Sequence, residues 1–100
     1  MNTNKLYLFC YDLPATQEGN KRRTKIAKIL EGHGNRVQYS TFEGRFSSKE
    51  ELEKVLLKIG KILIKAEDSL RIYPLPLDVE KEVIIMGQGE IFQRKDYYIF

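Results

Sequence analysis

The apolar run Leu6-Tyr7-Leu8-Phe9-Cys10-Tyr11 constrains the fold of this 100-residue chain more than any other segment. It is too short for a membrane span and rich in the aliphatic and aromatic side chains that suit a pleated, covered surface, so it is a buried strand. Asp12 follows at once, ahead of Leu13-Pro14, and is the only acid among the first 17 residues. The carboxylate marks the end of the strand, where side chains emerge from a sheet and chemistry often sits. A chain of this length holds one domain with a two-layer core and no more.

The rest of the sequence supplies the second layer. Ile26, Ile29, Leu30 and His33 fall at i, i+3, i+4 and i+7 and predict one face of a helix running from Lys21, after a loop from Leu13 to Gly19. Lys21, Arg22, Lys25 and Lys28 fall mostly on its other faces, in solvent. Gly34 is the expected left-handed cap. Arg36 to Phe46 is extended, either one long strand or two short ones with a bend near Glu43-Gly44, and is too short for an ordinary hairpin with a turn. Ser47-Ser48-Lys49-Glu50 forms a capping box, with Ser47 as cap and Glu50 reaching back. Behind it Leu52, Val55, Leu56, Ile59 and Leu63 define a second helix.

Three more strands are expected: Asp68 to Leu75, stopped by Pro74 and Pro76; Val83 to Met86, closed by Gly87 and Gly89; and Tyr97 to Phe100. The order βαβ…αββ fits a ferredoxin-like two-layer α/β plait. Residues 1–87 would form the plait and 88–100 an extension ending in a strand free to join a partner's sheet. Such a sheet has an open face and two edges, so dimerisation through that face or by strand exchange is expected.

Charge points to the kind of partner. The net charge is only +3, yet Lys21, Arg22, Arg23, Lys25, Lys28 and Arg36 face the single acid Glu31 between positions 21 and 36. A basic stripe on an otherwise near-neutral domain suits an anionic partner, of which nucleic acid is the commonest, or is simply a solvated helix face. The one cysteine, Cys10, excludes an intrachain disulfide and gives no zinc pattern; inside an apolar strand it reads as a small core residue. No signal peptide or bilayer-length apolar run is present, which makes a cytoplasmic protein the default and gives no membrane partner.

Several reaction classes are excluded. With His33 as the only histidine, a two-histidine ribonuclease and a nucleophilic triad are impossible within one chain, and His33 reads as a cap or packing residue. There is no G-x-x-x-x-G-K-[ST] loop. A carboxylate with Mg²⁺ remains, since that ion is often held by one or two carboxylates with water and substrate oxygens. On spacing alone a strand-end Asp before Leu-Pro is more often an Asx-turn residue than a metal ligand.

Four segments taken together shift that balance: Tyr11-Asp12, Arg22-Arg23, Arg36-Val37-Gln38-Tyr39-Ser40-Thr41-Phe42-Glu43-Gly44 and Arg71-Ile72-Tyr73-Pro74-Leu75. In this order they resemble the second CRISPR-associated adaptation protein, the Cas-two endoribonuclease family of antiviral defence. The resemblance implies a ferredoxin-like homodimer whose C-terminal strand completes the partner's sheet. It implies Asp12 as the magnesium-binding aspartate, facing its symmetry mate across a cleft, and matches Tyr11, Arg23, Arg36 and Phe42 to residues associated with nuclease activity. Lys21, Arg22, Arg23, Lys25 and Arg36 would hold nucleic acid. Lys25 stands where some members have a second helix arginine, keeping the charge without the bidentate fork. The loop from Leu13 to Asn20 also looks longer than usual for the family.

Two roles follow from the resemblance. One is metal-dependent cleavage of RNA or double-stranded DNA, and the other is a bridge holding DNA beside the integrase subunit during spacer insertion. A non-catalytic nucleic-acid-binding dimer and a toxin-like ribonuclease of the same fold are the alternatives. Phe42 also has a competing role in packing, as an aromatic in a strand usually does.

Overall fold

Alternation decides which side of the first strand is buried. The computed structural model describes residues 5–89. The first strand, β1 (Leu6–Asp12), sends Phe9 and Tyr11 into a core shared with Ile26, Leu30, Leu52, Val55 and Ile59. Successive side chains of a strand point to opposite faces, so Leu8, Cys10 and Asp12 lie on the face away from the helices. Cys10 is accordingly only half-buried, which corrects its reading as a core residue.

After β1 come α1 (Gln17–Leu30), a 3-10 turn (Glu31–His33), β2 (Gly34–Gln38), β3 (Thr41–Arg45), α2 (Lys49–Ile62), β4 (Ser69–Pro74) and a second 3-10 turn (Val79–Lys81). The sheet order is β2-β3-β1-β4 and each neighbouring pair is antiparallel. This βαββαβ chain order with β1 and β3 central is the expected ferredoxin-like plait, its two helices packed on one face of the sheet. Among the described residues no helix is long and apolar enough to cross a membrane.

Three glycines account for the misplaced boundaries. Gly19 lies inside the first turn of α1, where a Cβ would sit 2.0 Å from the Pro14 carbonyl oxygen. The glycine permits close packing of helix on loop rather than ending the loop, so α1 begins at Gln17 and not near Lys21. Thr16 caps it, accepting a 3.0 Å hydrogen bond from the Gly19 N–H. Gly34 is extended at φ 171°, not left-handed, and begins β2; a Cβ there would lie 1.8 Å from the Glu43 carbonyl oxygen. Gly44 is likewise buried within β3, opposite Gly34 and Tyr7, so no bend occurs at Glu43-Gly44. The chain instead turns at Tyr39-Ser40, and Arg36 to Phe46 belongs to a two-residue hairpin with a register shift between Arg36 and Gln38.

The cap of α2 shifts by one residue from expectation. Ser48 accepts from the Glu51 N–H at 3.1 Å, while Ser47 donates both its N–H and, at 2.6 Å, its hydroxyl to the Glu51 carboxylate. The doublets Ser47-Ser48 and Glu50-Glu51 permit either register in sequence. Glu51 also lies 3.0 Å from His33 Nδ1, and the imidazole stacks on Phe46 with ring centroids 4.7 Å apart, a packing position that joins the ends of the two helices.

Residues 83–86 are not a strand. Ile84 and Met86 are 85% and 88% exposed, and no ladder pairs the segment among the described residues. Its β-branched composition favours a pleated surface, but propensity without a partner edge forms no strand. The expected strand at Tyr97 to Phe100 lies outside the described residues.

Candidate functional site

The last residue of β1 is positioned by its neighbours on both sides. Asp12 pairs in register with Ser69 of β4, and Cys10 pairs with Thr41 of β3 and Arg71 of β4. The Tyr11 N–H donates to the Ser40 carbonyl at 2.9 Å, which ties the hairpin tip to the end of β1. The result is a cleft of about 380 Å³ lined by Cys10, Tyr11, Asp12, Ser40, Thr41, Ser69 and Arg71, with the Asp12 side chain exposed on the open face of the sheet.

Tyr11 and Asp12, adjacent in sequence, are on opposite faces. Tyr11 is 2% exposed, in the core, and its hydroxyl has no hydrogen-bond partner among the described residues. Phe42 is also 2% exposed and sits opposite Phe9 in the same core. The structure therefore brings neither of these aromatic side chains to the Asp12 carboxylate.

The arginines of α1 are not where charge counting places them. Arg22 and Arg23 are both buried, which corrects the expectation that Arg22 stays in solvent. Arg22 forms a fork with Asp68, Nε to Oδ2 at 2.7 Å and Nη2 to Oδ1 at 2.8 Å, and Nη2 reaches Glu67 at 3.3 Å. Its hydrogen bonds hold the Asp68 carboxyl below the usual carboxylate range, against the opposing effect of burial and with help from the Ile64 N–H. The charge of Arg22 is used inside the chain.

Among the described residues Arg23 forms no ion pair with a carboxylate. It donates to the Leu13 carbonyl at 2.8 Å, to Asn20 Oδ1 at 2.5 Å and to the Tyr39 hydroxyl at 3.1 Å, and its guanidinium lies 4.5 Å from the Tyr39 ring centroid. The exposed Arg36 approaches the same ring at 5.7 Å. Two guanidinium groups therefore gather around Tyr39, 62% exposed at the hairpin tip. Lys21 and Lys25 are exposed on the outer face of α1, beside Gln17, Asn20 and Thr24.

Sequence reasoning missed Asn20, Tyr39 and Arg71. Tyr39 and Arg71 both lie inside the family-like segments, but only the strand register places them at the site. Asp12 and the hydroxyls of Thr41 and Ser69 are oxygen donors that suit a hard cation such as Mg²⁺, in a cleft that Cys10 and Arg71 also line. Among the described residues no group of three or more His, Cys, Asp or Glu could hold a metal. The lining of this cleft holds one carboxylate, that of Asp12.

The family model described as CRISPR associated protein Cas2 matches residues 5–83 of the chain. A relative from Synechocystis sp., named CRISPR-associated endoribonuclease Cas2 3, is 42% identical over 83 residues, 83% of this chain and 85% of its own length. The crystal structure of Streptococcus pyogenes Cas2 at pH 6.5 superposes with a TM-score of 0.74 at 30% identity, covering 82% of this chain and 99% of that one. A chain of a partial Cas6-RT-Cas1–Cas2 complex gives a TM-score of 0.68 at 29% identity, covering 96% and 99%.

Proposed function

The chain belongs to the CRISPR-associated protein Cas2 family, and from that premise we propose that it serves CRISPR spacer acquisition as a homodimer that holds nucleic acid beside an integrase subunit. Asp12 is the carboxylate of a magnesium-dependent endonuclease site in this reading. Its position carries the proposal: a lone acid at the exposed end of a central strand, on the open face of the sheet, with hydroxyls on both neighbouring strands. The likeness to a chain of a Cas1–Cas2 complex and the name endoribonuclease borne by the Synechocystis relative support the two halves of it.

A two-fold axis near the open face would bring a second Asp12 towards the first and supply the carboxylate that one chain lacks. Bound there, Mg²⁺ would supply Lewis-acid polarisation of a phosphodiester. The chain's own residues do the rest. Arg23 and Arg36, held around Tyr39, hold the nucleic-acid backbone, and the Thr41 and Ser69 hydroxyls orient polar groups beside Asp12. RNA and double-stranded DNA are both substrates this chemistry admits.

The core positions of Tyr11 and Phe42 favour a second reading, in which the dimer holds DNA and does not cut it. Cleavage of RNA and of duplex DNA by wild type and Asp12→Asn, each with Mg²⁺ or EDTA, separates the two. Loss of cleavage by about a thousandfold in the variant, at unchanged nucleic-acid affinity, supports the nuclease. Equal cleavage by both proteins would remove Asp12 from the chemistry.

A further inference from the structure

The Asp12 cleft contains a cation that neither the charge map nor the family match assigns. Arg71 pairs with Cys10 across the β1–β4 ladder, and Asp12 pairs with Ser69 two residues away on each strand. Cross-strand partners share a face and diagonal partners lie within reach of long side chains. Arg71 is therefore on the open face beside Asp12, and both line the same cleft with Thr41 and Ser69.

The other arginines with described surroundings do not line this cleft. Arg22 is neutralised by Asp68, Arg23 is enclosed by Leu13, Asn20 and Tyr39, Arg36 leans on the Tyr39 ring, and Arg45 is 2% exposed. Arg71 is exposed, and among the described residues its hydrogen-bond partner is the Tyr73 hydroxyl at 3.4 Å, with no carboxylate in ion-pair range. A single weak neutral contact orients the guanidinium and leaves most of its donors open. An arginine in that state beside hydroxyls is suited to two oxygens of a phosphate, which its planar fork matches.

We propose that Arg71 is the phosphate-holding residue of the Asp12 cleft, taking the non-bridging oxygens of a nucleic-acid phosphodiester with the Thr41 and Ser69 hydroxyls and presenting the phosphate to Asp12. The assignment rests on the proposed function above and names the substrate contact of that same site. Arg71 acts on binding without any metal, which makes it separable from cleavage.

Binding of a single-stranded RNA and a duplex DNA is measured in EDTA across a range of salt for wild type, Arg71→Met, Arg71→Lys and Arg36→Met. Arg71→Met weakens affinity by roughly tenfold and lowers the salt slope by about 0.7 on single strands or 0.9 on duplex, one phosphate contact. Arg71→Lys recovers the slope but not the full affinity, because the charge returns without the fork. Wild-type affinity and slope in Arg71→Met, with Arg36→Met weakened, would overturn the assignment and leave nucleic-acid binding intact. A change of oligomeric state in Arg71→Met with the slope unaltered would also overturn it, marking an interface residue. If Asp12→Asn cleaves like wild type while Arg71→Met still loses EDTA-resistant affinity, the nuclease reading fails and Arg71 keeps its role.

Discussion

Two adjacent arginines of one helix occupy two electrically different regions. A helix turns about 100° per residue, so Arg22 points towards the connection between α2 and β4 while Arg23 points towards the β1–α1 loop and the hairpin tip. Around Arg22 two acids, Asp68 and Glu67, more than cancel its charge. Around Arg23 the acceptors are a carbonyl, an amide and a phenol, together with an aromatic face, so the positive charge is held in place and not cancelled. The first region joins helix to strand. The second holds an uncancelled charge beside the hairpin tip, where a buried arginine adds to an anion-attracting surface.

The widest expected separation comes from exchanging the two residues' fates. Arg22→Met leaves the fully covered Asp68 carboxylate without its fork, so thermal stability falls sharply while the salt slope of nucleic-acid binding stays at the wild-type value. Arg23→Met lowers the slope by up to about 0.9 on duplex DNA if the guanidinium reaches one phosphate. Denaturation curves and salt-dependent binding on the same two proteins make the check. A flattened slope in Arg22→Met would erase the distinction between the regions.

Acid titration sharpens the same contrast with a smaller effect. Asp68 has a folded-state pKa below its ordinary 3.8, so its contribution is fully present above that value and is lost as pH falls below it. Glu43 behaves oppositely. Burial raises its pKa above the ordinary 4.5, with Arg45 opposing, so the ionised form burdens the fold and that burden disappears as pH falls through the raised value. Denaturant midpoints against pH should therefore show Glu43→Gln losing part of the gain on mild acidification, and Asp68→Asn losing part of the fall at lower pH. The same limb altered by both variants would break the assignment.

What the sequence made legible follows from periodicity. The stripe from Leu52 to Leu63 and the apolar run from Leu6 to Tyr11 identified α2 and β1 because burial repeats at a period visible in one segment. Gly19, Gly34 and Gly44 misled because close backbone approach and chain reversal both select glycine, and which one applies depends on a segment distant in sequence. Arg22 misled for the same reason: its partner Asp68 is 46 residues away. Asp12 was found by its isolation at a strand end, whereas Arg71 required the β1–β4 register. Long-range pairing is the part of a site that a single sequence does not display.

The smallest expected effect concerns a hydroxyl. The family resemblance implies site roles for both Arg23 and Tyr11, yet Arg23 donates from both Nη atoms and leaves only Nε unpaired, whereas the buried Tyr11 hydroxyl has no partner among the described residues. A buried donor left unpaired costs about 1–3 kcal/mol relative to one in water. Tyr11→Phe keeps the ring that packs with Phe9 and Phe42 and removes only that group, so stability should rise by about 1 kcal/mol, read from the denaturant midpoint. A fall of similar size would mean that the hydroxyl has a hydrogen-bond partner beyond the described residues.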